Sequence, residues 1–239
     1  MKLANKKIVI LGGSSGIGLA TAKLASENGA EVIILSSNQK RIDAALELLP
    51  TNTSGIIADL NHEINIVELF KKIGNFDHLV YSAGDNLDLK LLADTNLEEA
   101  RHFFTLRFWS AIAAVKYSLA FLNDGGSVNL TSGTASVRPG SGWTLASSIC
   151  GAVEGLVKAL AVELAPIRVN CVVPGVIKTP LWNSMPDQDR QSLFEYVSKS
   201  LLIKRIGEPE DIAEGFLYLM TQKYVTGQAI VIDGGTLLV

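Results

Sequence analysis

Seven residues near the start of the chain, Gly12-Gly13-Ser14-Ser15-Gly16-Ile17-Gly18, have the types and spacing to hold a phosphate. Glycine permits the tight dihedrals and close backbone approach that such a grip needs. The run follows an apolar stretch at 7–11 and opens a helical pattern reaching about Asn28. A helix that starts there aims free N–H groups and a partial positive charge at an anion. Strand, glycine turn and helix in that order predict a seat for a dinucleotide pyrophosphate, whereas the turn alone would predict only a connection. The end of the next apolar run, Leu35-Ser36-Ser37-Asn38, carries no acid. A carboxylate there would accept from a ribose 2′-hydroxyl and repel a 2′-phosphate. Ser36, Ser37 and Asn38 can instead donate to a phosphate, with Lys40 or Arg41 near enough to help. This favours NADP(H) over NAD(H).

The elements that must position these residues alternate along the chain. Apolar runs at 7–11, 31–35, 55–58, 76–81, 127–130, 167–173 and 230–232 read as strands. Helical patterns lie at about 16–28, 39–48, 63–72, 97–121 and 144–165. Continuous apolar runs suit strands covered on both faces, and repeated strand–helix–strand units give a parallel sheet with right-handed crossovers. Ligands on such sheets sit beyond the carboxyl ends of the strands, at the switch point. The site is therefore expected at the ends of strands one, two, four, five and six.

The composition narrows the function classes. With 239 residues, 48% of them apolar and 19% charged, the chain can build one large core, and disorder is not expected. A net charge of −3 without a basic run gives no footprint for nucleic acid. Cys150 and Cys171 make no disulfide framework, which fits a reduced, cytoplasmic setting. His62, His78 and His102 lie too far apart for metal-ligand spacing, so no metal is expected. No segment reads as long and apolar enough to span a bilayer, and no membrane association is expected.

Further motifs follow in order: Asp59-Leu60, Ser82-Ala83-Gly84, Asn129-Leu130-Thr131-Ser132-Gly133, Pro174-Gly175 with Thr179-Pro180, and Ile232-Asp233-Gly234-Gly235. Together with the first glycine turn, this ordered set resembles the short-chain dehydrogenase/reductase family over nearly the whole chain. The resemblance implies a three-layer Rossmann fold, a doubly wound seven-stranded parallel sheet in a single domain spanning 1–239. It also implies a cofactor site built from Gly12, Ser14, Ser15, Gly16, Ile17 and Gly18, with Asp59 and Leu60 near the adenine. Ser82, Ala83 and Gly84 would pack along the cofactor, and Pro174, Gly175, Val176, Ile177 and Thr179 would lie against the nicotinamide. Residues from about 181 to 202 would form a substrate lid, with Trp182, Met185, Phe194 and Tyr196 suited to an apolar pocket or to plain packing.

The resemblance breaks where the family carries its chemistry. Its enzymes use a Ser, a Tyr and a Lys supported by an Asn. Here Ser132 keeps the Ser position, but Ala146 falls at the Tyr position and Cys150 at the Lys position. No Tyr occurs between Tyr117 and Tyr196, so no shift of register restores one. The Asn position holds Arg107. Ala146 cannot transfer a proton, and an Arg is too basic to do so. Cys150, in a buried helix face, reads as packing before chemistry. Arg138 and Trp143 follow Ser132 and could face a substrate, and Lys178 reads as a surface residue. The expected function is thus an NADP(H)-dependent oxidoreductase of small carbonyl or alcohol substrates, working by an atypical mechanism in which Ser132 and Arg107 polarise the oxygen. The alternative is a catalytically inactive dinucleotide-binding protein, a sensor or partner subunit; redox-neutral chemistry on a bound substrate is a third. The helix around Phe103–Val115 is apolar nearly all round, and the later long helix is rich in small residues. Two apolar faces on one helix call for a second cover, and the family commonly associates through these helices, so a homodimer or homotetramer is expected.

Overall fold

The computed structural model describes residues 1–87 and 89–239. Seven parallel strands lie in the order β3-β2-β1-β4-β5-β6-β7. They span Lys7–Leu11 (β1), Glu31–Ser36 (β2), Thr53–Ile57 (β3), Phe76–Tyr81 (β4), Leu122–Thr131 (β5), Arg168–Pro174 (β6) and Ala229–Ile232 (β7). Chain order reverses between β1 and β4, which is the switch point.

Side chains leave opposite faces of a strand in turn, so each strand serves two cores. Val9 and Leu11 join Leu79, Val128 and Leu130 beneath α3 (Glu63–Ile73), α5 (Ser110–Ser118) and α6 (Thr144–Glu163). Ile8 and Ile10 join Val32, Ile34 and Val172 beneath α1 (Gly16–Glu27), α2 (Gln39–Leu46) and α8 (Pro209–Thr221). That gives three layers with a doubly covered sheet, as expected. The helix α8 was not anticipated between β6 and β7. It packs on α1, and the buried Arg168 of β6 donates to its last carbonyls, Leu219 O at 2.6 Å and Met220 O at 3.1 Å. A cation at a helix C-terminus also complements the helix dipole.

The single helix expected over 97–121 is divided. Leu97–Phe104 (α4) passes into a π-helical turn, Thr105–Trp109, before α5 begins. The α4 start is capped by Asn96, which accepts from the backbone N–H of Glu98 and Glu99. Another expectation fails at α6. Its 20 residues are long and apolar enough to cross a membrane by length and composition. One stripe of it, Ile149, Val153 and Val157, is buried against the sheet, while Val162 is 82% exposed.

Candidate functional site

A cavity of about 890 Å³ opens at the carboxyl ends of the strands, as the switch-point rule requires. At one end lies the glycine turn. Gly12 has φ +88°, and a Cβ there would stand 2.6 Å from the backbone nitrogen of Ala83. Only glycine allows the turn to pass that close to the β4 end. Ser15 begins α1 in an extended conformation without a side-chain cap, and no acid occupies the first turn. The first N–H groups of α1 are therefore left to face the cavity wall that Ser14, Ser15, Gly16, Ile17 and Gly18 form.

Nearly all the expected cofactor residues line this cavity: Gly12, Ser36, Ser37, Asp59, Leu60, Ser82, Ala83, Gly84, Pro174, Gly175, Val176, Ile177 and Thr179 join the α1 start. Asn38 does not. Its side chain caps α2, accepting from the backbone N–H of Arg41 at 3.2 Å, a position Asn fills well. The cation that does reach the wall beside Ser36 and Ser37 is Arg41; Lys40 does not line it. Asp59 accepts from the backbone and side-chain nitrogens of Asn61 at 3.0 and 2.9 Å. The Asn61 backbone bond holds the Asp59 carboxyl below the usual carboxylate range. Asn61 itself was not foreseen: its Oδ1 is buried at the cavity wall without a partner.

The other end is built from side chains. Arg107 projects from the π turn into the cavity, its guanidinium 4.6 Å over the Phe103 ring and donating from Nη2 to the Asp85 carbonyl. A Cβ on Gly84 would lie 2.7 Å from Arg107 Nη1, so the bare glycine makes room for the cation. Its Nε is buried without a partner. Burial draws the Arg107 pKa below its ordinary value, yet guanidinium basicity keeps it charged at neutral pH. The turn is anchored from β4, where the buried Tyr81 hydroxyl donates to the Leu106 carbonyl. Burial pushes that phenol well above its ordinary pKa, and Tyr81 is not among the cavity residues.

Ser132 stands at the end of β5, its backbone N–H donating to Val172 O of β6 at 2.9 Å. Ala146 and Cys150 line the cavity one helical turn apart, beside Ile149 and Trp143. Burial pushes the Cys150 thiol up, so it stays protonated at neutral pH. The Ser132 hydroxyl donates to Cys150 O at 3.1 Å and to Glu154 Oε1 at 2.9 Å. Glu154 was missed in the sequence. Its signal was periodic: Ala146, Cys150 and Glu154 follow at i, i+4 and i+8, one face of α6.

Leu181, Trp182 and Asn183 line the cavity, with Trp182 Nε1 donating to Ile177 O at 2.9 Å and its ring 6.3 Å from that of Trp143. The next helix, α7 (Asp187–Ser200), turns its aromatics elsewhere: Tyr196 is 73% exposed, and Phe194 lines a separate hollow with Lys178 and Arg190. Met185 does not line the cavity. Lys178 pairs with Glu208 at 3.7 Å on the surface, and Arg138 donates to the Thr236 carbonyl rather than into the cavity. Among the described residues no group of acids, His and Cys could hold a metal.

The residues fit a dinucleotide on two observations. Unmet buried polar atoms sit at both ends, Asn61 Oδ1 and Arg107 Nε, and uncapped helical N–H groups sit between them. Comparison with known proteins agrees. The model of the SDR-like Rossmann domain matches residues 1–239. A short-chain dehydrogenase/reductase of Gibberella fujikuroi, fsr5, is 33% identical over 255 residues, covering 99% of this chain and 96% of that protein. A small-chain dehydrogenase solved in complex with NADPH is 32% identical, covers 98% of this chain and 99% of its own, and superposes with a TM-score of 0.83. The MalC reductase/Diels-Alderase of Malbranchea aurantiaca is also 32% identical, with 100% and 98% covered and a TM-score of 0.93.

Proposed function

The chain belongs to the short-chain dehydrogenase/reductase family and is an oxidoreductase of that type, and on that premise we propose that it uses NADP(H) to interconvert a small carbonyl compound and its alcohol without the Tyr–Lys pair. The observation that carries this reading is that one cavity is lined by the glycine turn, Ser36, Ser37 and Asp59 at one end and by Ser132 and the partly buried cation Arg107 at the other. A bound nicotinamide supplies or accepts the hydride.

The remaining work falls to the chain. The α1 N–H groups and the glycine turn would grip the pyrophosphate. Ser36, Ser37 and Arg41 would take the 2′-phosphate, which is the reason to prefer NADP(H). Asp59, Asn61 and Leu60 would bound the adenine, and Pro174 to Thr179 the nicotinamide. Leu106, Ile149, Trp143 and Trp182 enclose an apolar space beside Ser132. In that space the fixed charge of Arg107 favours negative charge growing on a carbonyl oxygen, and Ser132 lines it with its hydroxyl hydrogen directed to Cys150 O and Glu154. Leu181 to Asn183 form the part of the lid that borders this space, and the exposed Trp109 with the outer face of α6 offers a surface for a second copy of the chain. To test the reading, the protein is incubated with NADPH and a panel of small aldehydes and ketones while absorbance at the reduced-nicotinamide band is followed. Turnover above background that is lost in Ser132→Ala is expected. Cofactor binding with no turnover of any carbonyl would instead identify a dinucleotide-binding protein without chemistry.

A further inference from the structure

Loss of the Tyr leaves open where the proton of such a reaction resides. Ser132 has one hydroxyl hydrogen, and both of its acceptors, Cys150 O and Glu154 Oε1, belong to α6. While Glu154 is a carboxylate, that hydrogen points away from the cavity and the Ser132 lone pairs are left to face it. A serine held this way accepts a proton from the cavity rather than giving one. The same Glu154 oxygen takes a second hydroxyl, Ser136 Oγ at 2.6 Å, a length typical of a charge-assisted bond. Glu154 itself is half-buried behind Ser132 and is not a cavity residue. The charged and titratable groups around it are Cys150 and Lys158 on α6, Cys171 on β6, and Arg107 across the cavity. Burial pushes Cys171 up to about 12 and keeps Cys150 a thiol, so neither competes for the proton near neutrality.

We propose that Glu154 is the proton reservoir of the site and exchanges its proton with substrate through the hydroxyl of Ser132. The proposal rests on the oxidoreductase reading above and deepens it. In oxidation, the alcohol O–H bond breaks and its proton passes to Ser132 Oγ as the Ser132 hydrogen passes to Glu154. A bound oxidised nicotinamide would accept the carbinol hydrogen with its electron pair, leaving the C=O bond. In reduction, a bound reduced nicotinamide would supply the hydride of the new C–H bond. The carbonyl oxygen takes the Ser132 hydrogen, and protonated Glu154 restores it, ending as a carboxylate that solvent reloads. Two electrons and two hydrogens balance in each direction. Glu154 is a positioning residue by this account, because it acts through Ser132, and Ser136 steadies its charged form.

The experiment has two arms. In the first, the side-chain carboxyl carbon of Glu154, assigned by its loss in E154Q, is titrated by NMR in the wild-type chain and in S132A, with and without NADP+. Removing the Ser132 hydroxyl takes a donor from the carboxylate, so the midpoint should move to higher pH. S136A should move it the same way. In the second, NADPH-dependent reduction of the carbonyl panel is measured against pH. Wild-type kcat should fall as pH rises through the Glu154 midpoint, and S136A should shift that limb to higher pH. E154Q, isosteric but unable to carry the proton, should lose the limb and about 100-fold in kcat, with NADPH affinity unchanged. A Glu154 midpoint indifferent to S132A overturns the relay, as does an E154Q chain with wild-type kcat and pH profile. Turnover absent from the wild type is a different failure: it overturns the oxidoreductase reading first and the relay with it.

Discussion

By the proposed reading, the chain would meet its ligand mainly with backbone at the β1–β3 end of the cavity, and with side chains at the β5–β6 end. The first end depends on dihedrals and close approach: Gly12 at φ +88° against Ala83, and an uncapped α1 start. The second depends on what a few positions carry: Ser132 just past β5, Arg107 on the π turn and Cys150 on α6, with Glu154 behind Ser132. A backbone grip tolerates no Cβ but is indifferent to neighbouring side-chain chemistry. A side-chain site can be rewritten one residue at a time while the fold stays whole. By the proposed reading, that difference lets a cofactor frame persist beside Ala146, Cys150 and Arg107, where the family resemblance leads one to expect Tyr, Lys and Asn.

The sharpest way to break the comparison is at Gly12. Gly12→Val should weaken NADPH binding about 100-fold or more, roughly 3 kcal/mol, with circular dichroism showing the sheet retained. Unchanged affinity by calorimetry would mean that the turn is not the grip. Ser132→Ala is the mirror experiment at the other end. It should lower kcat about 100-fold and leave the NADPH dissociation constant within about twofold; equal losses in both would erase the division of labour.

A third test acts on the strands that both ends share. His78 on β4 is buried beside Ser127 of β5, its Nδ1 2.9 Å from Ser127 Oγ. Burial, helped by the Arg168 charge, lowers its pKa from 6.5 to about 4. The unfolded chain therefore binds the proton first as pH falls. Stability is held above pH 6.5 and is lost on the way down to about 4, by about 2 kcal/mol between pH 7 and 5. Urea unfolding at those two pH values checks it, and His78→Gln should flatten that part of the profile. The smallest effect is expected at Arg41. Arg41→Ala should weaken NADPH about tenfold and leave NADH binding alone, and equal weakening of both would remove the case for 2′-phosphate recognition.

Legibility in the sequence divides along the same line. The glycine turn, the Ser-Ala-Gly turn and the Pro174-Gly175 turn were readable because only particular residues can adopt those backbones, and they carried the order of the sheet with them. Strand boundaries slipped by a few residues, as at β5, which begins at Leu122 rather than 127, because strand ends carry weak local signals. The π turn at Thr105–Trp109 was invisible: an apolar period of 3.6 does not register one extra residue. The capping role of Asn38 was not separable from a phosphate-donor role in the sequence, because the two use the same polar chemistry and only the position of the Arg41 N–H reveals the cap. Glu154 escaped because its role depends on Ser136, which lies in a short helical loop across from α6. Phe194 and Tyr196 were placed by hydrophobicity, which does not say toward which cavity a helix turns.

The central claim is that the cavity at the strand ends is a dinucleotide seat. Calorimetric titration of the folded chain with NADPH tests it most directly. One NADPH per chain should bind at micromolar or lower concentration, with NADH weaker. Heat absent for both reduced and oxidised forms of both dinucleotides, in a chain shown to be folded, would contradict it.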